Sequence, residues 1–344
     1  MFLIGLFGMA AMGGAAYAIS DVLVPEDKGD DEEEDDRIEE TADDDLSEGN
    51  LLDADENVDE PSSAEETDSD TGEIVSEYEG DLVIAGDEDA DVVTGQEGND
   101  QINGYGGDDW IDGGAGNDVL YGGGGGDVLF GNLGNDVLHG EYGDDALDGM
   151  SGNDDLYGHF GTDDLSGGDG NDRLFGGQGD DTLSGDDGDD ALQGGDGDDY
   201  LVGGAGEDAL FGGDGDDILS GEDGPDEPAR DFLNGGSGGD VILAEDGDVV
   251  TGGEGEDEIV VQSDPEQEAT TIMDFQIGHD KLLITWDNPE EPELTIEQDS
   301  ENNSLTHVRV NGEDVAQLFG AEGLTVEDIQ FVTEAQLEQY AFTS

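Results

Sequence analysis

Aspartate returns at every ninth residue from Asp91 to Asp217, through fifteen repeats without a slip. Each repeat opens on glycine, from Gly86 to Gly212, and carries Val, Ile or Leu at its eighth position, from Val93 to Leu219. Glycine also fills the fourth position in every repeat but the first, where Asp89 stands. Carboxylates at a fixed step are hard oxygen donors, and the glycines beside them allow backbone angles that bring carbonyl oxygens inward. Oxygen donors in that number suit calcium far better than zinc or copper. Other chemistries lack their residues. The four histidines, His139, His159, His279 and His307, stand outside any H-E-x-x-H and read as surface or loop residues. Gly235-Gly236-Ser237-Gly238-Gly239 has the form of a hydrolase elbow, but it opens a repeat and has no βα unit around it. The glycine run Gly122 to Gly126 is followed by no lysine, so it is not a phosphate loop. An EF-hand loop with Glu at its twelfth position does not occur. Acidic pairs recur too regularly to be a glycosidase couple. Cys is absent, which excludes thiolate metal sites and disulfides.

The elements that must position these carboxylates follow from the period. Six residues of each nonapeptide read as turn, and the last three as a minimal strand with its aliphatic eighth residue pointing inward. Two nonapeptides make one coil of 18 residues, and stacked coils give two parallel sheets around a thin aliphatic core. Turns of repeats n and n+2 then lie about 4.8 Å apart. One aliphatic side chain per nonapeptide is too little to order the backbone alone, so metal binding and folding should be one event. The run breaks at GEDGPDEPARDFLN, a repeat with about five residues inserted around Pro225 and Pro228. It resumes as GGSGGDVIL, a shortened AEDGDVVT, and GGEGEDEIV ending at Val260.

The pattern G-G-x-G-x-D-x-U-x resembles that of the RTX (repeats-in-toxin) proteins. GGAGNDVLY at 113–121 and GGDGNDRLF at 167–175 fit it at every defined position. The resemblance implies a calcium-binding parallel β-roll in which each turn aspartate bridges two successive calcium ions. That role would fall on Asp91, Asp100, Asp109, Asp118, Asp127, Asp136, Asp145, Asp154, Asp163, Asp172, Asp181, Asp190, Asp199, Asp208 and Asp217, and beyond the insertion on Asp231, Asp240, Asp248 and Asp257. Further on, Asp274 to Leu282 reads DFQIGHDKL, similar to the phrase D-F-x-x-G-x-D-K-L of serralysin-like secreted proteases and related RTX proteins. NGEDVAQLFGAEGLTVEDIQFV looks like the closing hairpin of that C-terminal β region. The resemblance also implies export by the type I route.

Four segments follow: an apolar N-terminus (1–24), an acidic disordered linker (25–76), the β-roll (77–260) and a small C-terminal β domain (261–344) that caps it. The fold class expected is all-β. Residues 1–24 are about long enough to span a bilayer. They lack a basic n-region, though Ala16-Tyr17-Ala18 has the form of a cleavage site, so an anchor and a signal peptide both stand. Asp and Glu number 97 against 6 Lys and Arg, a net charge of −91. That charge repels nucleic acid and anionic membrane surfaces and calls for divalent cations. The expected role is a non-catalytic, secreted or cell-surface calcium-binding scaffold. The alternative is a toxin-like or enzyme-accessory protein with its activity in the C-terminal domain or a partner. An intracellular calcium buffer is disfavoured, since weak cooperative sites would stay empty at low cytosolic calcium. The ninth residues of alternate repeats, Tyr121, His139, Tyr157, Phe175, Gln193 and Phe211, stack one per coil and make an aromatic face. Such a face is either mutual support for short strands or a docking surface for a protein or ligand.

Overall fold

Alternation along each nonapeptide decides the architecture. In the computed structural model, which describes residues 73–78, 80–223, 229–262, 268–286, 292–333 and 336–337, the repeat strands are six residues long. Examples are Val119–Gly124, Val137–Tyr142, Asp155–Phe160 and Arg173–Gln178. Each runs from the seventh position of one nonapeptide to the third of the next. The strand is therefore twice the expected length, and the turn is only the fourth to sixth positions. The reason is the glycine that opens each repeat. The eighth residue points inward and is fully buried, as Leu156 and Leu174 are. The ninth points outward, and the opening glycine points inward again without a side chain to collide with the core. Apolar N-terminus, acidic linker, and the insertion around Pro225 and Pro228 lie outside the described residues, apart from the last residues of the linker.

Successive coils pair in parallel at a register of eighteen. Leu156 lies opposite both Leu138 and Leu174 in one sheet, and Leu165 opposite Leu147 and Leu183 in the other. Among the described residues the sheets have 15 and 12 strands. Across the insertion the register lengthens by five residues, Ala209 facing Phe232 and Ile218 facing Val241, without interrupting the stack. Across the shortened repeat it contracts by one, Phe232 facing Val249. The fold is thus an all-β parallel β-solenoid. All of the described residues belong to one compact unit, Glu65–Ser344.

The stack does not stop at residue 260, where the sequence placed a boundary. Lys281–Thr285 pairs in parallel with Glu258–Val261, and Ile329–Val332 pairs in turn with Lys281–Thr285. On the other sheet Thr270–Ile272 continues the coils and receives Glu313–Phe319. Only then does pairing turn antiparallel, through Leu305–Val310 and Leu294–Gln298. The first of these hairpins turns at Asn311 and Gly312, whose φ of 55° and 92° are those of a tight type I′ connection. One apolar core runs from Leu82 to Ile329. The C-terminal strands cap the solenoid by extending its two sheets.

Turns that stack on a preceding turn leave no room for a side chain at their fourth position, the first repeat with Asp89 being the exception. Gly152 has φ 153°, and a Cβ there would lie 1.4 Å from the Gly134 carbonyl of the preceding coil. Gly152→Ala should cost at least about 3 kcal/mol, the range of severe single substitutions. Gly124→Ala, whose Cβ would meet nothing nearer than 4.0 Å, should be close to neutral. Thermal unfolding of both variants in excess calcium checks this. Similar melting temperatures would show that the coils move apart more easily than their packing implies.

Candidate metal centre

Each turn places its sixth-position aspartate at the lateral edge of the solenoid, where the chain passes from one sheet to the other. All nineteen aspartates singled out from the sequence are buried, between 0% and 3% exposed. They fall into two rows, one on each edge. In the first row the Asp145 backbone N–H donates to Asp163 Oδ1 at 2.9 Å, and that of Asp163 to Asp181 Oδ1 at 2.9 Å. In the second, Asp136 donates to Asp154 and Asp154 to Asp172, both at 2.7 Å. The same bond spans the insertion, from Asp208 to Asp231 and from Asp217 to Asp240. One carboxylate oxygen in each turn therefore ties its coil to the coil before.

The other oxygen is left over. In sixteen of these residues, Asp109 through Asp240 and Asp257 among them, Oδ2 is buried and has no hydrogen-bond partner. Asp91, Asp100 and Asp248 differ, because there Oδ2 accepts a backbone N–H from Asp87, Gln96 and Glu245. The orphan oxygens sit in cradles made by the opening glycines. A Cβ on Gly158 would lie 2.4 Å from Asp163 Oδ2 and 2.7 Å from the Gly176 carbonyl of the next coil. On Gly149 it would lie 2.6 Å from Asp154 Oδ2 and 2.7 Å from the Gly167 carbonyl. Glycine at the first position thus does more than permit a turn: it leaves the space in which carboxylate and carbonyl oxygens converge.

Electrostatics make the rows unstable as bare anions. Burial, opposed by the backbone hydrogen bond and aided by neighbouring carboxylates, pushes Asp127, Asp154 and Asp163 up to about 7. Asp190 and Asp231 rise to about 8 by the same causes. A buried carboxylate without a cation is costly. Oxygen-only donors, carboxylate and backbone carbonyl, are those of a calcium site. Observed cradles, orphan oxygens and donor chemistry fit calcium at the sixteen aspartates with an unpartnered Oδ2, which are the residues that would hold it; Asp91, Asp100 and Asp248 share the rows but have Oδ2 already paired.

The sequence missed one member of the first row. Asp257 donates its N–H toward Asp280 Oδ1 at 3.4 Å, and Asp280 Oδ2 accepts from Gln276 at 2.6 Å. Asp280 is also buried. Its signal was present, since Gly278-His279-Asp280-Lys281-Leu282 repeats the fourth to eighth positions of the nonapeptide. Three histidines depart from the expectation of surface or loop residues, His307 being half-buried on the strand Leu305–Val310. His139 and His159 lie half-buried on strands, with Nδ1 of the first 3.0 Å from Nε2 of the second. Of the aromatic face, Tyr121, His139, Tyr157 and Phe175 form a continuous stack with ring centroids 4.8 to 5.0 Å apart. Gln193 interrupts it, and Phe211 stands beyond with its ring exposed.

If each carboxylate serves the coils on both sides, one substitution removes more than one ion. Asp163→Ala deletes the orphan oxygen and also the acceptor for Asp145 N–H. Calcium stoichiometry should fall by more than one and the cooperativity of binding should drop, as read by calorimetry. Loss of at most one ion with unchanged cooperativity would contradict shared ligation.

The family of RTX calcium-binding nonapeptide repeats matches residues 85–120, 121–156, 157–192, 193–228 and 227–259, about half of the chain. No curated protein matches the sequence. Among solved structures, similarity is found to a subunit of the Azotobacter vinelandii mannuronan C5-epimerase, with 23% identity over 46% of this chain and 80% of that one, TM-score 0.19. A hyperactive, calcium-dependent, β-helical antifreeze protein from an Antarctic bacterium matches 78% of this chain and 86% of its own, with 19% identity and TM-score 0.31. The extracellular lipase LipA of Serratia marcescens matches 74% of this chain and 40% of its own, with 14% identity and TM-score 0.21. With the nonapeptide profile covering residues 85–259, half of the chain, the chain belongs to the RTX calcium-binding nonapeptide repeat family.

Proposed function

We propose that this protein is a non-catalytic, extracytoplasmic scaffold that folds as it binds calcium. The observation that carries the reading is the double row of buried, unpartnered Oδ2 atoms, which makes the solenoid complete only with cations. Extracellular calcium, far above cytosolic levels, suits weak cooperative sites of this kind. Residues 1–24 would send the acidic remainder across a membrane, as an anchor or as a signal. The C-terminal strands, similar in sequence to the serralysin-like region, would close the roll and carry export information. A catalytic role finds little support in the residues. Ser237 ends the strand Phe232–Ser237, and its partners in register are Asp214 and Glu254, not a base of the hydrolase kind. The aromatic face of Tyr121, Tyr157, Phe175 and Phe211 would supply docking for a protein or ligand.

Cell fractionation together with activity assays tests this. The protein should be found outside the cytoplasm, and the calcium-loaded chain should turn over no protease, lipase or glycosidase substrate above background. An intact chain soluble in the cytoplasm would refute the location. Calcium-dependent turnover abolished by Ser237→Ala would refute the non-catalytic reading. Tyr157→Ser and Phe175→Ser should alter association with calcium affinity nearly kept; a loss of stability alone would leave the face as strand support.

A further inference from the structure

Away from the two aspartate edges, the outer face of one sheet gathers His139, Glu141 and His159. His139 and Glu141 are two residues apart on Val137–Tyr142 and so project on the same side. The parallel register sets Tyr157 opposite His139 and His159 opposite Glu141. One ligand atom from each of the three residues lies within 4.8 Å of the others. His139 Nδ1 and His159 Nε2 are 3.0 Å apart. Two nitrogens bound to one tetrahedral zinc ion at its usual bond lengths stand about 3.3 Å apart. The pair is therefore within a few tenths of an ångström of ligand spacing.

The surroundings fix the donors. The His139 ring is held between Tyr121 and Tyr157, with centroids 4.8 Å away on both sides and interplanar angles of 4° and 11°. Stacking above and below leaves the nitrogen lone pairs, which lie in the ring plane, free to bind. Burial, helped by His159 and opposed by Glu141, holds His139 below the ordinary imidazole value. The neutral ring is the form that ligates. The triad does not repeat along the sheet. One coil back, Tyr121 and Gly123 face His139 and Glu141; one coil on, Phe175 and Gly177 face Tyr157 and His159.

We propose that His139, Glu141 and His159 form a single binding site for a zinc- or copper-class divalent ion, separate from the calcium rows. Two imidazole nitrogens with one carboxylate select such ions over calcium, whose ligands are oxygens. Three protein ligands leave a fourth position for water or an incoming ligand. The acidic surface raises the local concentration of any divalent cation. The chain would then sort cations by donor type: hard ions to the turns, a borderline ion to the sheet face.

Copper(II) and zinc alone, added to the full chain in saturating calcium, test the site. Calcium fills the turn carboxylates and leaves the nitrogen donors as the distinguishing feature. One Cu2+ per chain should bind with electron paramagnetic resonance couplings from two imidazole nitrogens, and Zn2+ in large excess should compete with it. His159→Gly is the informative variant. His159 sits at φ 79°, while the residues one coil on and two coils back, Gly177 and Gly123, are glycines at φ 124° and 117°. The variant should fold at least as well, which calcium-dependent circular dichroism verifies. It should bind copper more than about 100-fold more weakly, since even partners outside a ligand set cost about 10–100-fold. Glu141→Gly and His139→Gln should weaken binding too. Absence of stoichiometric binding would leave the 3.0 Å contact as an N–H···N hydrogen bond and overturn the proposal. Nitrogen couplings unchanged in His159→Gly would place the ion on another histidine and overturn it equally.

Discussion

Removal of calcium should unfold the solenoid outright. The chain carries a net charge of −91, and its most buried carboxylates line up along two edges, each within reach of the next coil. In sixteen of them hydrogen bonds from backbone N–H groups satisfy only Oδ1. Without cations the Oδ2 rows combine desolvation with mutual repulsion, both of which act against the folded state. What remains in favour is one aliphatic residue per nonapeptide and the strand ladders, and burial on that scale does not offset chain entropy. In chelator, scattering should give a radius of gyration approaching about 65 Å, the value for an unfolded chain of 344 residues. Millimolar calcium should restore β-structure in one cooperative step, because each shared carboxylate couples neighbouring coils. A dichroism spectrum and a scattering curve indifferent to chelator would show that the core alone holds the fold.

The repeat region was legible because its period is covalent. A ninefold step in Asp and in Val, Ile or Leu places the turns and core residues from Asp91 to Leu219 before any contact is considered, and the fifteen aspartates of that run, with the four read beyond the insertion, are all buried in the two rows. What the step did not reveal depends on three dimensions. The opening glycine looked like a turn residue, yet Gly158 and its equivalents are strand residues whose missing Cβ holds open the space for Asp163 Oδ2. Beyond Val260 the spacing becomes irregular. The short β-like runs TTIMDF, KLLITW, ELTIE, LTHVRV and VAQLFG each contribute a strand, but nothing local says that Lys281–Thr285 and Ile329–Val332 pair in parallel with each other and prolong the roll. The histidines illustrate the same point more sharply. His139 and His159 are twenty residues apart, which in a linear reading is meaningless. On an eighteen-residue coil it is one turn and one same-face step, and it brings two imidazoles to 3.0 Å.

Acid should substitute in part for calcium. The turn aspartates of the calcium-free fold hold protons more tightly than ordinary carboxylates, with Asp127, Asp154 and Asp163 near 7 and Asp190 and Asp231 near 8. Because their folded values lie above the unfolded one, the folded chain binds more protons at any pH between the two, and stability rises as pH falls. The penalty is complete above about pH 8, is relieved as pH drops through 7, and is gone below the ordinary carboxylate value of about 4. In chelator, lowering the pH from 8 towards 4 should therefore compact the chain and raise its β-content, with a midpoint above pH 4. A flexible polyanion of unperturbed carboxylates would collapse only near pH 4 and without ordered strands. Calcium binding should run the opposite way, weakening across the same window and releasing protons when it occurs near pH 7. Asp163→Asn separates the two effects at one coil. The amide keeps an oxygen to accept the Asp145 N–H but cannot ionise, so it imitates the protonated acid. It should stabilise the calcium-free roll at pH 8 and lower calcium affinity, whereas Asp163→Ala should lose on both counts. A calcium-free Asp163→Asn chain less compact than the parent at pH 8 would show that burial of the charge is not what opposes folding.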